Sequence, residues 1–153
     1  LLVRNMMRPT LWTASPEQKM GEALELMRKH HIRALPVVEE ENHICGILTT
    51  VNILRHILPE YIESGDLADV AFAPDLHFLA KRYPRMINLQ VKEVMDREPL
   101  IVSEDESLLA VATTLVGDDG RYVYVLATDR EGHLRGIVSP GDILNHFQRL
   151  QPQ

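Results

Sequence analysis

Apolar residues in this chain follow two periods, one helical and one strand-like, and the whole succession occurs twice. Met20, Ala23, Leu24 and Met27 fall at i, i+3, i+4 and i+7, which gives a helix one continuous apolar face. Leu108, Val111, Ala112 and Leu115 repeat that pattern. A short extended segment, TLWTA (10–14) or PLIVS (99–103), precedes each helix. A Ser-x-x-Gln/Glu capping box follows it, Ser15 to Gln18 or Ser103 to Glu106, and predicts a helix start at each serine. Two β-rich runs come next in each half: ALPVV and HICGIL, then YVYVLA and LRGIV. The polar stretches EEEN and TDREG predict hairpin turns between them. VNILRHIL (51–58) and GDILNHFQRL (141–150) predict a closing helix in each half. Ser139 is placed as the N-cap of the last helix, Pro140 as its first residue and Asp142 as its third.

The two halves align at a nearly constant offset. VRNMM (3–7) falls on VKEVM (91–95) and RALPVV (33–38) on RYVYVL (121–126), both 88 positions on. GILTTVNIL (46–54) meets GIVSPGDIL (136–144) at 90, the difference lying in the turn TDREGH. A repeat this long with one length change points to duplication of a structural unit. The predicted fold class is α/β (α+β): two tandem β-α-β-β-α repeats, at 1–58 and 91–150. One unit alone would leave a sheet face uncovered, so the repeats are expected to pack sheet to sheet as a pseudo-twofold pair. Residues 59–90 match neither repeat and are too many for a structureless connection inside a compact pair. There APDLHFLAKRY (73–83) predicts a short helix started at Pro74, with Phe72, Phe78, Leu79 and Tyr83 packing on the repeats.

Composition narrows the function classes. The chain's 153 residues are 45% hydrophobic and 25% charged, as in soluble globular proteins. Sixteen basic residues against 22 acidic ones give a net charge of −6, which argues against a nucleic-acid partner. No apolar stretch approaches the roughly 20 residues of a membrane span. No membrane contact is therefore expected from this segment, and a cytoplasmic location is the expectation. The single cysteine, Cys45, lies in ICGIL and reads as a small buried side chain. The first residue is Leu rather than Met, which fits a piece of a longer chain. Catalysis is not predicted. Ser139 lies in no G-x-S-x-G elbow, and no phosphate-binding G-x-x-x-x-G-K-[ST] loop occurs. The histidines at 30, 31, 43, 56, 77, 133 and 146 lack metal-ligand spacing, so no metal site is expected either.

Three features together resemble the CBS domain, and their duplication resembles the CBS pair known as a Bateman module. They are the openings VRNMM and VKEVM, the strand Ile32 to Val38, and the closes GILTTVNIL and GIVSPGDIL. The resemblance covers 3–58 and 91–148. It implies a regulatory module, often a disc-shaped homodimer, that binds AMP, ADP, ATP or S-adenosylmethionine in clefts between the repeats. No cofactor is required; the adenine nucleotide is the regulatory ligand. On the matching positions, Asp142 would take the ribose hydroxyls and Ser139 would lie near the phosphates, with Ile137 beside them. Leu11, Thr13, Ile32 and Ala34 would contact the base. A carboxylate suits a vicinal diol because it accepts two charge-assisted hydrogen bonds. A helix start and the guanidinium groups of Arg8, Arg33 and Arg121 suit phosphate. His30 and His31 are read as helix-end residues favoured by the dipole.

The first repeat departs from the pattern. Its close carries Asn52 in place of the aspartate, and Asp96 stands where the second alignment partner has Arg8. An amide can accept a ribose hydroxyl without the charge, for a loss on the order of tenfold in affinity. A second, weaker cleft is therefore expected at Thr49, Asn52, Ile101 and Tyr122. Two readings stay open: a sensor of an adenosine-containing ligand, and a ligand-free CBS dimerisation or interaction module whose caps are only caps.

Overall fold

Helices form where the apolar faces lie, and they begin later than the serine boxes predict. The computed structural model describes residues 1–10, 12–58, 76–117 and 122–152. Helix α1 spans Met20–His30, α2 Thr50–Ile57, α3 Leu76–Met86, α4 Leu108–Gly117 and α5 Pro140–Arg149. The strands are β1 (Ala34–Val38), β2 (Ile44–Thr49), β3 (Leu100–Ser103), β4 (Val125–Thr128) and β5 (Leu134–Val138).

Ser15 and Ser103 cap no helix. The Ser15 box closes a local turn, with the Ser15 N–H donating to Gln18 Oε1 at 3.3 Å. Helix α1 starts four residues further on, after Lys19, which makes no side-chain cap. Its first N–H groups find main-chain acceptors instead: Met20 donates to the Leu89 carbonyl at 2.8 Å and Gly21 to that of Ile87 at 2.9 Å. Leu108, at the start of α4, donates to the Leu1 carbonyl at 3.0 Å. Distant backbone thus takes the first donors of both helices, and Ser107 Oγ, not Ser103, accepts the Ala110 N–H of α4 at 3.5 Å. At the other end of α1 the expectation for the histidines is met: His30 is in the last turn and His31 is the left-handed C-cap.

Two compact units result, each assembled from separated segments. The first comprises Leu1–Thr13, Val38–Cys45 and Glu98–Gln153; the second comprises Ala14–Val37 and Gly46–Arg97. In the first, β4 pairs in parallel with β3 and antiparallel with β5. Its core joins Val3 with Leu108, Val111 and Leu115 of α4, Val125 and Ala127 of β4, Val138 of β5 and Ile143 of α5. In the second, α1 buries Met20, Ala23 and Met27, while β1 and β2 bury Leu35, Val37, Ile47 and Leu48. Ile53, Met86, Val91 and Val94 complete that core. Among the described residues, no helix is long and apolar enough to cross a membrane.

Each unit draws its leading segment from the other half of the sequence. Arg8 exchanges both backbone hydrogen bonds with Ile137 of β5, at 3.0 and 2.9 Å. Asp96 does the same with Ile47 of β2, at 2.9 and 3.0 Å. Glycine makes this approach possible. A Cβ at Gly136 would lie 2.8 Å from the Arg8 carbonyl oxygen and from Met7; one at Gly46 would lie 2.7 Å from the Asp96 oxygen and 2.6 Å from Met95 Sδ. The G-h-h-S/T close of each repeat thus starts with glycine because a second backbone lies against it.

Three expectations need correction. Among the described residues of TLWTA (10 and 12–14), one parallel rung forms, Ala14 with Val37, and no strand. In the second half the corresponding rung, Leu100 with Val125, is followed by three more, as far as Ser103 with Thr128. The run YVYVLA becomes strand only from Val125. In the connection a helix forms, but it runs to Met86, through Pro84. Tyr83 is 46% exposed, while Met86 is buried. Pro74, Phe72 and the side chains of Phe78 and Leu79 lie outside the described residues.

Candidate functional site

The turn from β5 into α5 forms as its sequence predicts. Pro140 occupies the first helical position, where its missing N–H and fixed φ do no harm. Ser139 and Asp142 make a reciprocal capping box: the Asp142 N–H donates to Ser139 Oγ at 3.3 Å, and the Ser139 N–H donates to Asp142 Oδ2 at 2.8 Å. The Ser139 hydroxyl also donates to Oδ2, at 3.0 Å. Of the three first-turn positions, Pro140 has no N–H and Asp142 uses its own in the cap. Gly141 carries the N–H that lies outside this arrangement.

Arg8 completes the group. Its backbone is fixed to Ile137, two residues before Ser139, and its Nε lies 3.0 Å from Asp142 Oδ2 and 2.9 Å from Oδ1. The Asp142 side chain is 14% exposed and that of Arg8 54%. Oδ2 therefore accepts from the cap and the guanidinium together, whereas Oδ1, among the described residues, meets only the guanidinium. The pairing has no local sequence signal, since 134 positions separate the partners. It also revises the expectation for Arg8 as a free phosphate cation: its Nε is committed to Asp142, and only its terminal nitrogens lie outside the pair.

The equivalent turn from β2 into α2 has the same shape and different chemistry. The Asn52 N–H donates to Thr49 Oγ1 at 3.0 Å, and the Thr49 hydroxyl donates to Asn52 Oδ1 at 2.6 Å. Because the amide oxygen is the group turned to the cap, the amide nitrogen is the group turned from it. Asn52 then presents a donor there, not the acceptor expected for a ribose hydroxyl. The oxygen and nitrogen assignment follows from this hydrogen-bond network.

The structure gathers the predicted residues in part. Arg8, Ile137, Ser139 and Asp142 form one contiguous group, and Thr13, half-buried, belongs to the same unit. Ile101, 45% exposed on β3, and Tyr122, packed on the core, belong to that unit too. Ile32, Arg33 and Ala34 lie in the second unit with Thr49 and Asn52. There the exposed Arg33 offers its carbonyl to the Thr50 N–H at 3.0 Å. Leu11 and Arg121 lie outside the described residues. A cavity of about 690 Å³ lies elsewhere in the first unit, lined by residues of mixed charge that include Arg4, Glu104 and Arg130.

Comparison with known proteins settles the kinship of this fold. A model of the CBS domain matches residues 3–59 and again 91–149. The chain belongs to the CBS domain family. Protein MJ1225 of Methanocaldococcus jannaschii is 25% identical over 134 residues, which cover 88% of this chain and 42% of that protein. An inosine-5′-monophosphate dehydrogenase of Bifidobacterium longum is 27% identical over 141 residues, covering 89% of this chain but 20% of the enzyme. The chain thus spans less than half the length of these curated relatives. Among solved structures, CBSX2 of Arabidopsis thaliana in complex with AMP has a TM-score of 0.73 at 19% identity and covers 99% of both chains. The CBS domain pair of MJ0100 in complex with 5′-methylthioadenosine and S-adenosyl-L-methionine has a TM-score of 0.69 at 22% identity. That match covers 99% of this chain and 98% of the other. At these identities the structural matches establish the CBS-pair fold.

Proposed function

We propose that this chain is a non-catalytic regulatory module that binds an adenosine-containing ligand at the Ser139–Asp142 turn. Binding would be passed on through a change of packing or association. The observation that carries this reading is the Asp142 carboxylate, which is held by the cap and by Arg8 while Oδ1, among the described residues, meets only the guanidinium. A carboxylate fixed before binding loses little freedom when it accepts two ribose hydroxyls. The Gly141 N–H and the terminal nitrogens of Arg8 are donors for a phosphate. Thr13, in the same unit, is assigned to the base.

The ligands named for two CBS structures support the class. AMP, 5′-methylthioadenosine and S-adenosylmethionine share adenine and an intact ribose diol and differ at the 5′ position. An acceptor for the diol serves all three, and the donors around the 5′ group choose among them. Calorimetric titration with AMP, ADP, ATP, S-adenosylmethionine and NAD, on the wild type and on Asp142→Ala, tests the proposal. Heat from one of them that weakens at least about tenfold in the variant is the expected result. No heat from any ligand overturns the binding role; equal affinity in the variant overturns the ribose assignment alone.

One observation favours a second reading, the ligand-free interaction module. Ser139 and Asp142 already satisfy each other, and α5 leaves Leu144 and Phe147 68% and 50% exposed. Spaced i and i+3 on one helix face, these two suit association with a second copy.

A further inference from the structure

We propose that the first unit carries a site for a divalent transition metal, built from the imidazoles of His43 and His133 and the carboxylate of Glu41. The ligand atoms of these three residues all lie within 4.8 Å of one another. Tetrahedral zinc with bonds of about 2.0 Å needs its ligand atoms about 3.3 Å apart. Glu41 is exposed, so its carboxylate has room to turn toward the two imidazoles.

Backbone geometry, not chance proximity of long side chains, brings the two histidines together. His43 and His133 form an antiparallel backbone bridge, and their ring centroids lie 4.9 Å apart. The Asn42 amide donates to the Leu134 carbonyl at 2.9 Å and ties the two turns beside them. The histidines also hold equivalent positions in the duplicated sequence, ninety residues apart like Gly46 and Gly136. A histidine present at that position in both repeats meets its own counterpart. Spacing along the sequence could not reveal this, because each repeat supplies a single ligand.

In both rings Nδ1 lies beside an oxygen that can only accept. His43 Nδ1 lies 3.2 Å from the Glu40 carbonyl oxygen, and His133 Nδ1 lies 3.0 Å from Asp129 Oδ2. An Nδ1–H committed to an oxygen leaves the lone pair on Nε2, the arrangement by which outer carboxylates and carbonyls position metal-binding imidazoles. Asp129 is itself anchored, since Oδ1 accepts the N–H groups of Glu131 and His133, both at 2.9 Å. On the other side, Glu41 and Asn42 take φ of +58° and +62° between Glu40 and His43. That is a type I′ turn, whose first central position rarely holds a glutamate. The donor set is two imidazoles and a carboxylate. It suits Zn²⁺, Co²⁺ or Ni²⁺ rather than Mg²⁺ or Ca²⁺, which favour all-oxygen shells.

Titration of the whole chain with Zn²⁺ by calorimetry, and with Co²⁺ by its visible absorption, tests the site. The expected result is one ion per chain and affinity at least about tenfold weaker in His43→Ala and in His133→Gln. Glu41→Gln, an exposed change that spares the fold, is expected to weaken binding without abolishing it. His30→Ala/His31→Ala, which alters the other adjacent histidines, is expected to leave it unchanged. Absence of binding by the wild type overturns the proposal, as does full affinity in His43→Ala.

Discussion

Arg8 grips the carboxylate of Asp142 through its Nε, while its own main chain is hydrogen-bonded to Ile137 just ahead of that aspartate's turn. Arginine and carboxylate are thus brought together by strand pairing rather than by their charges. A partly exposed pair of this kind contributes about 0–1 kcal/mol. Arg8→Gln is expected to shift the denaturation midpoint little and to weaken adenosine-ligand binding clearly. Urea unfolding beside calorimetry separates the two. A large loss of stability with unchanged affinity would make Arg8 structural only.

Ser139→Ala removes the acceptor for the Asp142 N–H and a donor to its carboxylate. The expected cost is about 1 kcal/mol in urea unfolding, typical of a lost N-cap. Thr49→Ala, at the equivalent turn, is expected to cost a similar amount.

Gly136→Ala places a methyl 2.8 Å from a backbone oxygen and a methionine side chain at once. A methionine can move; the Arg8 carbonyl is held by β5. The expected loss is about 1–3 kcal/mol, the range of overpacked interiors. Gly46→Ala, against the Asp96 oxygen and Met95, should behave alike. Gly117→Ala meets nothing within 4 Å and is the control, with little change expected in the same unfolding measurement.

Asn52→Asp restores the carboxylate that the first repeat lacks. At the third position of α2 it also faces the positive end of the helix, for a gain of about 0.3–1 kcal/mol in stability. Calorimetry with the ligand that binds the wild type is expected to show heat at a second site. Unchanged stoichiometry would place the weakness of this turn in its surroundings, Asp96 among them.

Phe147→Asp puts a charge on the exposed apolar face of α5. If this face associates, light scattering behind size exclusion will report a smaller mass for the variant at equal concentration. The same mass for both excludes that face from association.

The fold was legible wherever a period was long. Both apolar helix faces, three of the four hairpin runs and the last capping box stand where the pattern puts them. Errors came where a distant segment competed with a local signal. Ser15 and Ser103 carry good capping boxes, yet the carbonyls of Leu89, Ile87 and Leu1 took over the helix starts. TLWTA has strand composition, yet its described residues make one rung, Ala14 with Val37. Within the candidate site, Ser139 and Asp142 were readable as a cap because three residues separate them. Their tie to Arg8 was not, nor was the meeting of His43 with His133, because nothing in a local window records strand pairing at such a distance.

The interleaving of the leading segments bears on how the chain is made. Residues 1–13 leave the ribosome well before β5, the strand to which Arg8 pairs, which follows more than a hundred residues later. Neither repeat can complete itself in isolation, so folding must wait for contacts of long sequence separation, and such topologies fold slowly. A chain stopped within the connection between the repeats would release an apolar N-terminal stretch with no strand to receive it. The duplicated halves are therefore obligate folding partners, committed to each other before any ligand arrives.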